Sequence, residues 1–284
     1  MKRFATGSLL LAILAVAAIA AHAAPFAMIT DLKGAAWAGE RKLALLGYLE
    51  EPLEIRVEPE ARLSVTYFAD GVQYSFAGPA RVALDAQSAR VLEGAAAEAR
   101  RIVPEKSING SGLSPEQWRR LQQATVVMRN VKSTFSVIGP DDTKLLDRQT
   151  GFEWTPVEGA KSYRLVVYGA GGDVLVETRT EGTHLRPAEP LALEPGRQYR
   201  WKVDAIGVSR PVTASGRFTL ADDAARERLA GLKRAAGNEP GPRAFYATTL
   251  EAEGFSHEAR LEWQALARDF PDQALFRERA APRP

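Results

Sequence analysis

Apolar and polar positions alternate most strictly in LALEPGRQYRWKVDAIG, where Tyr199, Trp201, Val203 and Ala205 are interleaved with Arg200, Lys202 and Asp204. A period of two is that of a strand with one face packed and the other in water. The same period occurs earlier, with Leu53, Ile55 and Val57 set against Glu54, Arg56 and Glu58, and Leu63, Val65 and Tyr67 against Ser64 and Thr66. Asp70-Gly71 then stands between YFA and VQYSF and predicts a two-residue type I′ hairpin, with Val72, Tyr74 and Phe76 continuing the inward row. Gly78-Pro79 marks another turn, and Val82 with Leu84 one more strand. Residues 26–103 thus predict a mostly antiparallel β domain. Its last stretch, EGAAAEARR (93–101), favours helix by propensity and equally suits an edge strand.

The pattern changes at SINGSG (107–112), a flexible connector. Ser114-Pro115-Glu116-Gln117 reads as an N-cap, a proline at the first helical position and a reciprocal capping glutamine. Trp118, Leu121, Thr125 and Met128 then recur at helical spacing, so residues 104–133 predict a linker with a helix. Alternation returns over 135–220: Phe152 with Trp154, then Tyr163, Leu165 and Val167, a GAGGD hairpin (169–173), Val174 to Val176, a short strand at His184, and the opening strand. Arg217 to Leu220 closes the sheet. From Asp222 the period is helical, with Ala225, Leu229 and Leu232 on one helix capped by Asp222-Asp223. Residues 237–242 read as a linker, and AFYATTLEAEGFSHEARLEWQALARDFPD as two helices around Gly254-Phe255-Ser256.

Three resemblances follow from these residues. The opening TDLKGAAWAGE, the strand after GYLEEPLEIRV and the run ARLSVTYFADGVQYSFAGPARVAL resemble the periplasmic FecR-like β domain. Members of that family include signal transducers and exported proteins; unlike the transducers, this chain has no anti-sigma segment ahead of its hydrophobic stretch. FEWTPVEGAKSYRLVVY followed by LEPGRQYRWKVDAIG resembles a fibronectin type III domain. That likeness implies a buried Trp154 and a Tyr199 folded onto the core with its hydroxyl bonded to nearby backbone. Ala247, Gly254, Ala259, Trp263 and Pro271 fall where a tetratricopeptide repeat places its small residues, interhelical glycine, inner aromatic and terminal proline. A single such repeat needs something to dock on, expected here to be its own chain. The fold class expected is mainly β and multidomain: an N-terminal antiparallel β domain, a fibronectin type III-like β-sandwich over 135–220, and a C-terminal α-helical hairpin over 222–276.

Composition alters this picture at the N-terminus. Met1-Lys2-Arg3, an apolar run from Leu9 to Ala21 and Ala21-His22-Ala23 have the layout of a Sec-type signal peptide over residues 1–23, which predicts a periplasmic protein with no stable membrane span after cleavage. Retention of the segment as an anchor is the alternative. The 284 residues contain no cysteine, which excludes disulfides and thiolate metal sites. Losing Lys2 and Arg3 with that segment brings the 37 basic residues down to 35, equal to the 35 acidic ones. No charge excess then favours nucleic acid.

Catalytic chemistry is not indicated. His184 and His257 are far apart in sequence without acidic ligand spacing. Glu50-Glu51, Asp141-Asp142 and Asp222-Asp223 sit in turns or at helix starts, where capping and solvation account for them. Gly169-Ala170-Gly171-Gly172 joins two strands and opens no helix, so it lacks a phosphate loop's anion site. Ser111 has no nucleophile-elbow context. No catalytic, metal or cofactor site is expected. The residues proposed for a binding surface are Trp37, in a Gly-rich loop; Tyr168, opposite in phase to Tyr163; and Gly171 and Asp173 of the GAGGD loop. The expectation is a non-enzymatic binding or scaffolding protein whose partner is an envelope protein or a cell-wall glycan. The alternatives are an envelope sensor, and an enzyme acting on envelope polymers that would need an acidic cleft at a domain boundary.

Overall fold

A computed structural model describes residues 25–102 and 135–281. The signal segment and the linker helix read from the sequence lie outside these residues. Among these residues the chain is mainly β, with four sheets followed by four C-terminal helices.

The first unit contains ten strands in two five-stranded sheets. One sheet has the order β10(Glu98–Arg101), β7(Val72–Ala77), β6(Arg62–Tyr67), β1(Ala27–Lys33), β4(Tyr48–Leu49). The other has the order β3(Arg41–Lys42), β2(Ala36–Ala38), β5(Leu53–Val57), β8(Ala80–Leu84), β9(Ala89–Glu93). Their inward rows, including Ile55, Val57, Leu63, Val65, Phe76 and Val82, make one apolar core. The stretch at 93–101 resolves as strand: β10 pairs with β7 along Glu98 to Arg101. The Asp70-Gly71 turn differs from the two-residue reading. Thr66 opposite Gln73 is the last pair, the Gly71 amide bonds the Tyr67 carbonyl at 3.1 Å, and of the two residues only Gly71, at φ 62°, is left-handed. Asp70 accepts from the Val72 amide at 2.9 Å, and this side-chain bond closes the wider loop in place of a type I′ backbone.

The second unit has a three-stranded sheet, β11(Val137–Gly139), β13(Phe152–Trp154), β16(His184–Leu185), and a five-stranded one. The latter runs β12(Thr143–Leu145), β18(Thr213–Leu220), β17(Gln198–Ile206), β14(Ser162–Tyr168), β15(Val174–Thr180). Phe152 and Trp154 from one sheet meet Tyr163, Leu165, Trp201, Val203 and Phe218 from the other in a single core. The Glu194 amide donates to the Tyr199 hydroxyl at 2.7 Å, while the Tyr199 ring stacks on Phe218. Tyr199→Phe is expected to lower stability by about 1 kcal/mol, because a backbone amide loses its partner while the packing stays. A urea midpoint that falls at unchanged slope checks this.

The helices are α1(Asp223–Ala236), α2(Pro240–Ala252), α3(Ser256–Asp269) and α4(Ala274–Ala280). Asp222 caps α1 by accepting from the Ala225 amide at 2.7 Å. The linker read over 237–242 is shorter than expected: Pro240 begins α2, since a proline needs no amide partner in a first helical turn. A fourth helix, α4, follows the expected pair and covers Trp263 with Phe276, ring centres 6.0 Å apart.

The helical core is not self-sufficient. Leu229, Phe245, Leu250, Phe255, Trp263 and Phe276 cluster with Met28, Leu46 and Ile102 of the first unit, and Leu146 of the second packs on the same cluster. Helix α2 lies on β1: Phe245 stacks on Phe68 at 5.5 Å, and Arg100 grips Glu239 through two bonds of 3.0 and 2.7 Å. At the other end, the Lys144 amide donates to the Gly254 carbonyl at 2.9 Å. The Thr143 hydroxyl accepts from the His257 amide at 3.3 Å, and Arg260 pairs with Glu153 at 3.0 Å. Helix α3 has no side-chain cap of its own, so β12 supplies one of its missing acceptors. The helices therefore dock on both β units of their own chain.

Candidate functional site

At the junction of the helices with β12 lies a groove of about 550 Å³. Its floor is Tyr246 and Leu250 of α2, 4% and 1% exposed. Arg226, Ala230 and Lys233 of α1 form one wall, Glu258, Leu261 and Glu262 of α3 another, and Leu146 and Asp147 close the end. Spacings of four and three put Arg226, Ala230 and Lys233 on one face of α1, and Glu258 stands three and four residues before Leu261 and Glu262 on α3. Leu261 stays 46% exposed, a large apolar side chain left at the rim.

The polar groups of this groove are unevenly satisfied. Glu262 is held by Arg243 at 2.7 Å, and both are largely covered. Arg226 pairs with Asp223 one turn back, but its Nε is shut from water without a partner. Glu258 Oε1 accepts from the Leu146 amide at 2.8 Å; its Oε2 is likewise shut from water and unpartnered. Burial pushes the Glu258 carboxyl up to about 7, overcoming the bonds from the Leu146 amide and its own backbone that favour the charged form. Tyr246 is raised by burial and by Glu262 and Glu258 nearby.

A second polar cluster lies where α3 meets the small sheet. Glu153 sits opposite His184 in the pairing of β13 with β16, and opposite Gly139 in that of β11 with β13. His257 is buried, and its Nδ1 would lie 2.5 Å from a Cβ placed on Gly139. The fold thus brings the two sequence-distant histidines close enough for His184 to help lower His257, after burial and Arg260, to about 4. Among the described residues, no group of three or more His, Cys, Asp or Glu side chains is arranged to hold a metal ion.

The residues singled out from the sequence fall elsewhere. Trp37 is not in a loop: it is the centre of β2, opposite Lys42 and Arg56, because Ala36 must turn inward to fill the first core. Tyr168, half-buried at the end of β14, faces Val174 and Arg200. Gly171 and Asp173 are exposed in the hairpin that follows, where the Gly169 amide donates to the Asp173 carbonyl at 2.8 Å. Tyr168, Gly171 and Asp173 share one hairpin; Trp37 belongs to a sheet of the other unit. The groove residues escaped the sequence reading. One signal was present: Ala259, Trp263 and Leu266 define the buried stripe of α3, and Leu261 is an apolar residue off that stripe.

Fold and groove together define a two-unit β protein whose terminal helices join the units and carry a mixed apolar and charged cleft. No protein-family model matches the chain, and no curated protein matches it. No described helix is long and apolar enough to cross a membrane.

Proposed function

We propose that the chain is a non-enzymatic binding or scaffolding protein of the bacterial cell envelope, exported to the periplasm. The observation that carries this reading is the helical unit, whose core is completed by side chains of both β units while the groove between its helices is left open. Support also comes from the signal-peptide layout of residues 1–23, from the likeness of the first β unit to the periplasmic FecR-like domain, and from the likeness of the second to fibronectin type III domains, a fold with a habit of binding. Multiple recognition-type modules on one frame suit a protein that holds a partner.

Cross-linking in intact envelopes followed by affinity purification is the test. One or more reproducible partners, recovered at higher yield than with an unrelated exported protein, is the expected result. Recovery of none by several cross-linkers would defeat the reading.

A further inference from the structure

We infer that two copies of this chain pair along β15, antiparallel and centred on Thr178, so that the five-stranded sheet of one copy continues into that of the other. This pairing is independent of the partner proposed above. It begins with an open edge: β15 is the last strand of its sheet, and among the described residues no backbone bond reaches it from the side turned away from β14. An edge of unpaired N–H and C=O groups invites a further strand, and short length, lysine, proline or an inward-pointing charge are the usual defences. β15 has seven residues and none of these. Its one irregularity, at Leu175, leaves Val176 to Thr180 in regular pairing with β14. The other edges are short or engaged. β3, β4 and β16 have two residues each and β11 three, β12 bonds Gly254, Glu93 of β9 is held by Arg81, and Arg100 of β10 is committed to Glu239 and Gln73.

Charge complementarity names a second copy as the occupant. Val176, Thr178 and Thr180 stand opposite Val167, Leu165 and Tyr163 and so lie on the core face; Glu177 and Arg179, opposite Val166 and Arg164, lie on the outer face. A two-fold axis through the sheet sets β15 beside itself, antiparallel, with both core faces on the same side. Centring on Glu177 or on Arg179 would set like charges against each other. Centring on Thr178 sets Glu177 of each copy opposite Arg179 of the other, because Glu-Thr-Arg read backwards is Arg-Thr-Glu. On the core face it sets Val176 opposite Thr180 and Thr178 opposite itself. Each charge has room for the other. Arg179 faces Arg164, a like charge, and has no ion pair among the described residues. Glu177 accepts from Arg164 through Oε1 at 2.8 Å, and its Oε2 takes no bond among the described residues. Both side chains are exposed, so a second copy can reach them. An unrelated strand would have to carry the same order of charges, whereas a second copy carries it by symmetry.

Sedimentation of the full chain over a range of concentrations is expected to show a monomer–dimer equilibrium. Arg179→Glu leaves two acids on the outer row of β15, and Glu177→Arg leaves two arginines. Each is expected to weaken self-association about tenfold or more, since two attractive cross-strand pairs become two repulsive ones. Arg179→Glu also turns the like-charge pair with Arg164 into an opposite one, so its melting temperature should not fall, which separates loss of pairing from loss of fold. Mixing the two variants restores both attractive pairs, and a heterodimer of about the parent's affinity is expected. The double variant Glu177→Arg/Arg179→Glu should likewise pair with itself. A chain that sediments as a monomer at every concentration overturns the assignment, as does a dimer that Arg179→Glu leaves unchanged, or a mixture of the two variants that stays monomeric. An extended peptide that protects the amides of Val174 to Thr180 in a monomeric chain would also overturn it, since the edge would then belong to another partner.

Discussion

Gly241→Ala is expected to lower the melting temperature by roughly 5 °C, although helix propensity alone argues for the opposite. Gly241 is the second residue of α2, and alanine is favoured over glycine in a helix by up to about 1 kcal/mol. A Cβ placed there would lie 2.0 Å from the Thr30 carbonyl oxygen and 3.2 Å from the Thr30 Cβ. Neither side can yield cheaply. Strand β1 is bonded to β4 on one side and β6 on the other, and the Thr30 hydroxyl is fixed by Thr66 at 3.0 Å and Gln73 at 2.9 Å. The helix must therefore lift, which loosens Phe245 from Phe68 and Arg100 from Glu239. Overpacking of this kind costs about 1–3 kcal/mol, and a chain of this size loses about 2–4 °C per kcal/mol. Arg100→Ala, which removes an exposed ion pair with Glu239 and a 3.1 Å hydrogen bond to Gln73, should cost about 1 kcal/mol. Calorimetry of both variants decides the matter: a Gly241→Ala chain as stable as its parent would mean that α2 does not rest on β1 in solution.

That contact was not legible in the sequence, and the reason is physical. Period-two alternation declared β5, β6, β7, β14 and β17 because each strand records its own half-buried face. The start of α1 and the ends of α2 and α3 were legible for the same reason: Asp222, Gly254 and Pro271 act within a turn of where they stand. Strands of two or three residues, β2, β3, β4 and β12, are too short to show a period, so Trp37 read as loop. Thr143 gave no sign that it would accept from the His257 amide 114 residues away, nor Gly241 that it would meet Thr30. The groove is the extreme case. Its walls come from three helices and its end from the second β unit, so no window of sequence contains it, and the paired acids that drew notice proved to be caps and turn residues while the unpaired Glu258 lay inside a helix.

Adjacent residues at that junction are expected to pull stability in opposite directions as pH changes. His257 is depressed to about 4, first by burial and then by Arg260 and His184, against an ordinary 6.5. Its contribution is complete above pH 6.5 and is lost as pH falls through 4, because the unfolded chain takes up the proton first. Glu258 is raised by burial to about 7 against an ordinary 4.5, with Asp147 adding to the shift. Its contribution is complete below pH 4.5 and is lost as pH rises through 7, because the unfolded chain releases the proton first. At about 1.4 kcal/mol per tenfold, each effect is worth up to roughly 3 kcal/mol. Between pH 4.5 and 6.5 the two nearly cancel, so these two residues add almost no slope to the parent's stability there. Glu258→Gln unmasks the histidine: its stability should climb with pH through that window and exceed the parent's near pH 8 by about 1–2 kcal/mol, part of the gain being offset by an amide left without an acceptor. His257→Gln should do the reverse and lose stability from pH 4.5 to 7. Urea titrations at intervals across this range measure all three profiles, and parallel curves for the parent and Glu258→Gln would show that the Glu258 carboxyl is not buried in the folded chain.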